Sequence, residues 1–382
     1  MTQSPPPDEL LAEAGRLFHA GQEPAAAARC RALLDQHPAH VEARHLLGVI
    51  AVRRGDFADA VSHLERAAAL RPEDARIAGN LGRAWMGLHA PDRAVAAHRA
   101  ALATGPATAD GLNELATALG EAGERAAAEA AYRHALSLAP GHAPARYNLG
   151  RLLAAEARTE EALEALHAVL AVLPPDSPRR DDVLAALVTA LADADRMEEV
   201  VALCRRERAR GGARPAAAWN ESLALLCLGR WREAWPLYES RWDVPAHERP
   251  DRPTTVLDLA AVQNRHVLIL GEQGRGDVLQ FARYAPLVAA RGARVTLQVY
   301  PDLVPVLHGL PGVRVLSTEA AAPVADVVTP LLSLPLAFGT TPETIPAPVP
   351  YLHVPADRRT AWRGRVGRRR QWRIGLAWRG LQ

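Results

Sequence analysis

Residues 48–72 read GVIAVRRGDFADAVSHLERAAALRP, and residues 82–106 read GRAWMGLHAPDRAVAAHRAALATGP. Their first glycines stand 34 residues apart, and the register continues. Leu47, Gly48, Gly55, Ala60, Leu64, Ala67 and Pro72 recur as Leu81, Gly82, His89, Ala94, His98, Ala101 and Pro106. They return as Leu115, Ala116, Gly123, Ala128, Tyr132, Ala135 and Pro140, and again as Leu149, Gly150, Ala157, Ala162, Leu166, Val169 and Pro174. Counted from residue 41, the eighth place is Gly or Ala and the twentieth is Ala, or Val200 in a later unit. Two short helices cross closely only where such contact residues are small, and the proline stops the second helix. Neither helix can bury its apolar face alone, so the units must stack into an all-α solenoid.

This pattern resembles the tetratricopeptide repeat, a helix-turn-helix unit of the same period. About seven units fit into 7–245. The first, about Pro7 to His40, keeps the register through Ala14, Gly21, Ala26 and Pro38. After the insertion PPDSPRR the phase shifts, and Asp181 to Arg214 reads as a degenerate sixth unit through Leu187, Leu191 and Val200. In the seventh, Trp231, Trp235, Tyr238 and Trp242 form an aromatic cluster read as the cap and as the docking face toward the next domain. Asparagine recurs at the sixth place as Asn80, Asn148 and Asn220, while Leu46 and Glu114 interrupt the series. In repeat proteins fused to O-linked sugar transferases such a ladder lines the concave face and holds extended polypeptide. The resemblance implies a polypeptide partner in the groove here. The alternative is that these asparagines are tolerated surface choices.

Composition changes after Trp242. Residues 246–265, within DVPAHERPDRPTT and beyond, read as a linker rich in proline and charge. From His266 the runs HVLIL, RVTLQVY, VRVLS and DVVT alternate with helical stretches, which predicts an α/β domain with a parallel sheet. The first run leads into GEQGRGDVLQFARY, Gly271 to Tyr284, at the carboxyl end of a strand where such sheets place ligands. Gly271, Gly274 and Gly276 give GxxGxG and not the dinucleotide spacing GxGxxG. Asp277 falls in the first helical turn, where its carboxylate satisfies backbone N–H groups and repels a phosphate.

The phrases GEQGRGDVLQFARYAPLVAARGARVTLQV, PLLSLPLAFGTT, ETIPAPVPYL and RIGLAW resemble, in order, the first half of a bacterial tetratricopeptide-linked glycosyltransferase similar to the heptosyltransferases. The likeness covers about Val267 to Trp378. It implies that 266–371 form the Rossmann-like acceptor-side domain of a GT-B enzyme. Gly271, Gln273, Gly274, Arg275 and Gly276 would then form the acceptor-binding loop, and Asp277 the base that deprotonates the acceptor hydroxyl. A helix-capping role for Asp277 alone is the competing reading. Arg275 departs from the apolar residue expected there. RIGLAW, within 372–382, resembles the first strand of a second Rossmann domain, followed only by RGLQ. The expectation is a polypeptide-binding protein with a glycosyltransferase-like domain that is not active alone, because the nucleotide-sugar half is missing. The alternatives are an active inverting glycosyltransferase, full-length or split, and a pure interaction scaffold. A nucleotide-sugar donor is expected only with a second domain.

Composition excludes other chemistries. All 45 basic residues are arginine, so a Walker A loop, a Schiff-base lysine and pyridoxal phosphate chemistry each lack their essential residue. No cofactor is expected. Cys30, Cys204 and Cys227 are odd in number and far apart, and His19, His266, His308 and His353 show no ligand spacing, so neither disulfides nor a metal are expected. The net charge is +2, and the arginine-rich stretch from Arg358 to Arg373 reads as a solvated linker and not as a nucleic-acid surface. No run is apolar enough to span a membrane, and a cytoplasmic location is expected.

Overall fold

The computed structural model describes residues 6–210, 214–244, 249–348, 350–352 and 356–366. The strand expected from RIGLAW within 372–382, His353 and part of the expected linker lie outside the described residues. The chain divides into two compact units, Met1–Asp195 and Arg196–Gln382.

The first unit is helical. Its helices are α1 Pro7–His19, α2 Glu23–Gln36, α3 Val41–Arg54, α4 Phe57–Leu70, α5 Ala75–Gly87 and α6 Pro91–Thr104. They continue as α7 Ala109–Glu121, α8 Arg125–Leu138, α9 Ala143–Ala155, α10 Thr159–Val172 and α11 Arg179–Asp193. Consecutive helices pair as antiparallel hairpins, and from α3 onward the first helix of a pair also touches the first helix of the next, as α5 touches α7 and α7 touches α9. The pairs close where the sequence places small residues. A Cβ added to Gly48 would lie 2.5 Å from Leu64 Cγ, and one added to Gly150 would lie 2.8 Å from Leu166 Cγ. The turn inside each pair needs a left-handed residue. Gly21, Gly55 and Gly123 supply it with φ between 74° and 83°, whereas His89 and Ala157 adopt it at 54° and 58°.

The core of this unit passes from pair to pair. Leu10 to Ile50, Ala51 to Ala84 and Ala94 to Ala162 contribute three successive apolar clusters, so each pair is completed by its neighbours.

In the second unit α12 Met197–Ala209, α13 Pro215–Cys227 and α14 Trp231–Tyr238 continue the helical hairpin pattern. Pro236 lies inside α14, which gives way to a 3-10 turn at Glu239–Asp243. A four-stranded sheet follows, with β1 His266–Leu270, β2 Arg294–Val299, β3 Val313–Ser317 and β4 Val327–Pro330. Its order is β3-β2-β1-β4, and every pairing is parallel. The connections carry α15 Arg275–Phe281, α16 Ala285–Ala289 and α17 Val304–Leu307, and α18 Leu334–Ala337 and α19 Ala356–Val366 come last. The expectation of a parallel sheet holds. Of the aromatic cluster, Trp235 and Tyr238 share one core with Val267, Ile269, Val295 and Leu297 of the strands and Trp231 packs against it, whereas Trp242 lies against Arg241 and lines a cleft. Trp235 Nε1 donates to the Thr340 carbonyl at 2.8 Å.

At the place taken by Leu64 and Leu166 in other pairs, α6 carries His98, 2% exposed, with its ring 2.5 Å from where a Cβ on Gly82 would stand. Burial, and then the Arg83 guanidinium, push its pKa down to about 4, and Glu114 Oε2 lies 3.8 Å from Nδ1. The unfolded chain takes up this proton near pH 6.5 and the folded chain does not. Stability is therefore complete above pH 6.5 and falls as pH drops toward 4, by a loss on the order of 3 kcal/mol. His98→Leu, which installs the residue of the neighbouring repeats, is expected to flatten that loss. Urea unfolding of both proteins at pH 7 and pH 4.5 checks this, and equal losses would show that His98 is not the group responsible.

Candidate functional site

Two concave features stand out, one in each unit. In the first unit, the sixth-place asparagines are half-buried and tied to the preceding repeat. Asn80 Nδ2 donates to His45 Nε2 at 2.8 Å, while its Oδ1 accepts from Arg83 Nη1 at 3.2 Å. Burial, followed by the nearby Arg76, holds the His45 pKa below its usual value, which leaves Nε2 able to accept. Arg83 Nε continues the chain to Glu114 Oε1 at 2.7 Å, so the residue that interrupts the asparagine series is linked through Arg83 to the asparagine before it. Asn148 Nδ2 donates to Asn113 Oδ1 at 3.0 Å. Asn80 and Asn148 thus repeat one arrangement within this unit. Asn220 lies half-buried on α13, in the other unit.

Each of these two asparagines lines a cavity between successive first helices. One, of about 380 Å³, opens between α5 and α7 around Gly79, Asn80 and Leu102. The other, of about 240 Å³, opens between α9 and α11 around Tyr147, Asn148 and Val183. The wall residues occupy matching repeat places: Gly79 with Tyr147, Asn80 with Asn148, and Ala101 with Val169.

In the second unit a cleft of about 630 Å³ opens at the carboxyl ends of β1, β2 and β4, where Leu270, Gln298 and Pro330 line it. The loop after β1 forms one wall. Gly271 N–H donates to the Gln298 carbonyl at 2.7 Å, and a Cβ there would stand 3.0 Å from that oxygen, a close approach that favours glycine. Glu272 turns inward. Gln273 adopts φ 58°, unusual for a side-chain-bearing residue, and is held by Tyr300 Oη donating to its carbonyl at 2.5 Å and by its Nε2 donating to Tyr238 Oη at 3.2 Å. Gly274 N–H donates to Asp277 Oδ2 at 3.0 Å, so Asp277 caps α15. Arg275 points away to Asp302 at 2.6 Å and lies over the Tyr300 ring. Gly276 faces open space. Of the expected acceptor loop, Gly271 and Gln273 line the cleft together with Glu272, whereas Gly274, Arg275, Gly276 and Asp277 do not.

Sequence reasoning missed Arg241 and Glu272. Arg241 is fully buried in the turn after α14. Its Nε and Nη2 grip Glu272 at 3.0 Å each, Nη1 reaches Glu239 at 2.9 Å, and Nη2 donates to Ser333 Oγ at 2.8 Å. Leu332 N–H also donates to Glu272 at 2.9 Å, and Ser333 Oγ donates to Glu239 at 3.0 Å. Burial works against the charge on Arg241, and the two carboxylates outweigh it, holding the guanidinium protonated. The hint was an acidic residue inside a glycine loop.

His266 is bonded on both ring nitrogens within the protein: Nδ1–H donates to the Val324 carbonyl and Nε2 accepts from Thr296 Oγ1, both at 2.9 Å. Among the described residues no cluster of three metal-ligating side chains occurs, and no helix is long and apolar enough to cross a membrane.

Tetratricopeptide repeat family models match residues 11–60, 45–109 and 119–187. A crystal structure of a tetratricopeptide repeat protein from Parabacteroides merdae is similar over 63% of this chain and 93% of its own, with 14% identity and a TM-score of 0.50. A thermophilic repeat protein of Thermus thermophilus covers 49% of this chain and 100% of its own at 21% identity, with a TM-score of 0.39. Protein FlbA of Caulobacter vibrioides is 28% identical over 257 residues, which is 65% of this chain. The chain spans 42% of that relative's length.

Truncating Arg241 leaves the carboxylate of Glu272, 9% exposed, without its cation, and the half-buried Glu239 beside the same gap. Arg241→Ala is expected to destabilise the second unit by about 3–5 kcal/mol, and Arg241→Lys to recover little because an ammonium cannot grip Glu272 through two nitrogens. Near-ultraviolet circular dichroism of the tryptophan cluster during thermal unfolding measures this. A wild-type transition in Arg241→Ala would remove the network from the account of this unit's stability.

Proposed function

We propose that this tetratricopeptide repeat protein is a scaffold that binds an extended polypeptide in the groove of its first unit. The observation that carries the reading is the recurrence of one cavity at matching repeat places, each with an asparagine amide on its wall. A ligand that meets the same arrangement twice along a line is itself linear. The amides of Asn80 and Asn148 each keep one N–H beyond the bonds already made, which suits a peptide carbonyl. Panning a random dodecapeptide phage library on the full chain, followed by fluorescence anisotropy with the enriched peptides, tests the scaffold reading. Enriched peptides whose affinity falls about tenfold in Asn80→Ala or Asn148→Ala support it; an absence of enrichment overturns it.

A second reading concerns the second unit, as the acceptor side of a GT-B glycosyltransferase. What supports it is the parallel order β3-β2-β1-β4 and a cleft at the carboxyl ends of the strands, where doubly wound sheets bind ligands. In this reading Asp277, whose Oδ1 is not engaged in the cap, takes the proton of an acceptor hydroxyl. Transfer in this reading also needs a donor-binding half to hold the nucleotide sugar. With such a half supplied, Asp277→Ala is expected to keep its fold and abolish transfer. The absence of transfer by the wild-type combination, or full transfer by the variant, would count against this reading.

A further inference from the structure

The chemistry of the groove sharpens the scaffold reading and rests on it. We infer that the groove of the first unit selects an extended peptide carrying two apolar side chains about six residues apart, an aromatic one in the cavity at Gly79 and an aliphatic one in the cavity at Tyr147.

The spacing comes from packing. The first helices α5, α7 and α9 touch in sequence, and helices in contact lie about 8–10 Å apart, so the two cavities are two steps, or about 20 Å, apart. An extended chain rises about 3.4 Å per residue, which places about six residues between the two sites.

The sizes come from one repeat place. Gly79 and Tyr147 both hold the fifth place, and the cavity walled by Gly79 is the larger, about 380 Å³ against about 240 Å³. A Cβ added to Gly79 would meet nothing within 4 Å, so neither crowding nor backbone conformation demands glycine there, and the space is open to a ligand. The floor, Ala75, Ala101 and Leu102, is apolar. The arginines on the rim are already paired, Arg76 with Asp74 at 2.7 Å and Arg83 with Glu114, while the exposed Asp110 accepts a hydrogen bond from His142 at 2.9 Å. An anionic occupant would have to break one of the arginine pairs. A neutral aromatic ring breaks none, buries its face on the floor and can stack on the Arg83 guanidinium. At the second cavity Tyr147 itself fills the space of an aromatic guest, and Val169, Leu173 and Val183 leave room for a Leu or Val side chain.

Gly79→Tyr reproduces the narrower cavity on a site with open space, and helix propensity favours the change. Peptides enriched by panning on the full chain are expected to carry an aromatic and an aliphatic residue about six apart. Gly79→Tyr is expected to weaken them at least tenfold with an unchanged melting temperature, as is Ala in place of the peptide's aromatic residue, while Gly79→Ala stays within about twofold. Enriched peptides without that pair, or with affinities indifferent to Gly79→Tyr, overturn the inference and leave the scaffold reading standing. No enrichment at all overturns both.

Discussion

The contact on which the first unit depends is the one between the eighth place of each repeat and the side chain sixteen residues later. Gly48 meets Leu64, Gly82 meets His98 and Gly150 meets Leu166, each at a distance that a methyl group would close. Ala116 and Tyr132 belong to the same core in the fourth pair, and the tyrosine hydroxyl finds Thr117 at 3.1 Å. Because this crossing sets the separation within a hairpin, it also decides which face of each first helix is left to stack on the next. The cross-repeat bonds from Asn80 to His45 and from Asn148 to Asn113 are consequences of that stacking.

The second unit is organised differently, around a polar group. Apolar packing brings Trp235 and Tyr238 against the strands, and apolar contacts alone carry no direction. Arg241 supplies it. Its planar guanidinium bonds Glu272 after β1, Glu239 in its own turn and Ser333 after β4 at once, and its fixed donor directions restrict how the three can be placed. The loop that carries Gln273 is therefore positioned from the helical side of the unit as well as from the sheet.

Legibility in the sequence follows from whether a feature is local. The repeat was readable because its period, its small residues and its prolines all lie along the chain. The strands were readable because HVLIL, RVTLQV and VRVLS are apolar and β-branched. The cap at Asp277 was readable from its place in the first turn. The partners of Asn80 and Asn148 were not, since a bond to a residue 35 positions earlier depends on how repeats stack. Arg241 was hidden among 45 chemically identical residues, and burial is not written in one residue's identity. Gln273 was hidden because a glutamine announces no left-handed backbone; two tyrosine hydroxyls hold it there.

In the repeats, the residues that close each pair and those that shape the groove occupy different places. The eighth place faces inward, and a larger residue there is refused on steric grounds. The fifth place faces the space between first helices, where His45, Gly79, Asn113 and Tyr147 are all accommodated without disturbing the hairpin. A solenoid built this way can change what it holds, one repeat at a time, without changing how it stands. That separation also explains why Glu114 does not spoil the groove. Placed where an asparagine would continue the series, it lines the cavity at Gly79 and pairs there with Arg83, so that its charge is met from within the repeats.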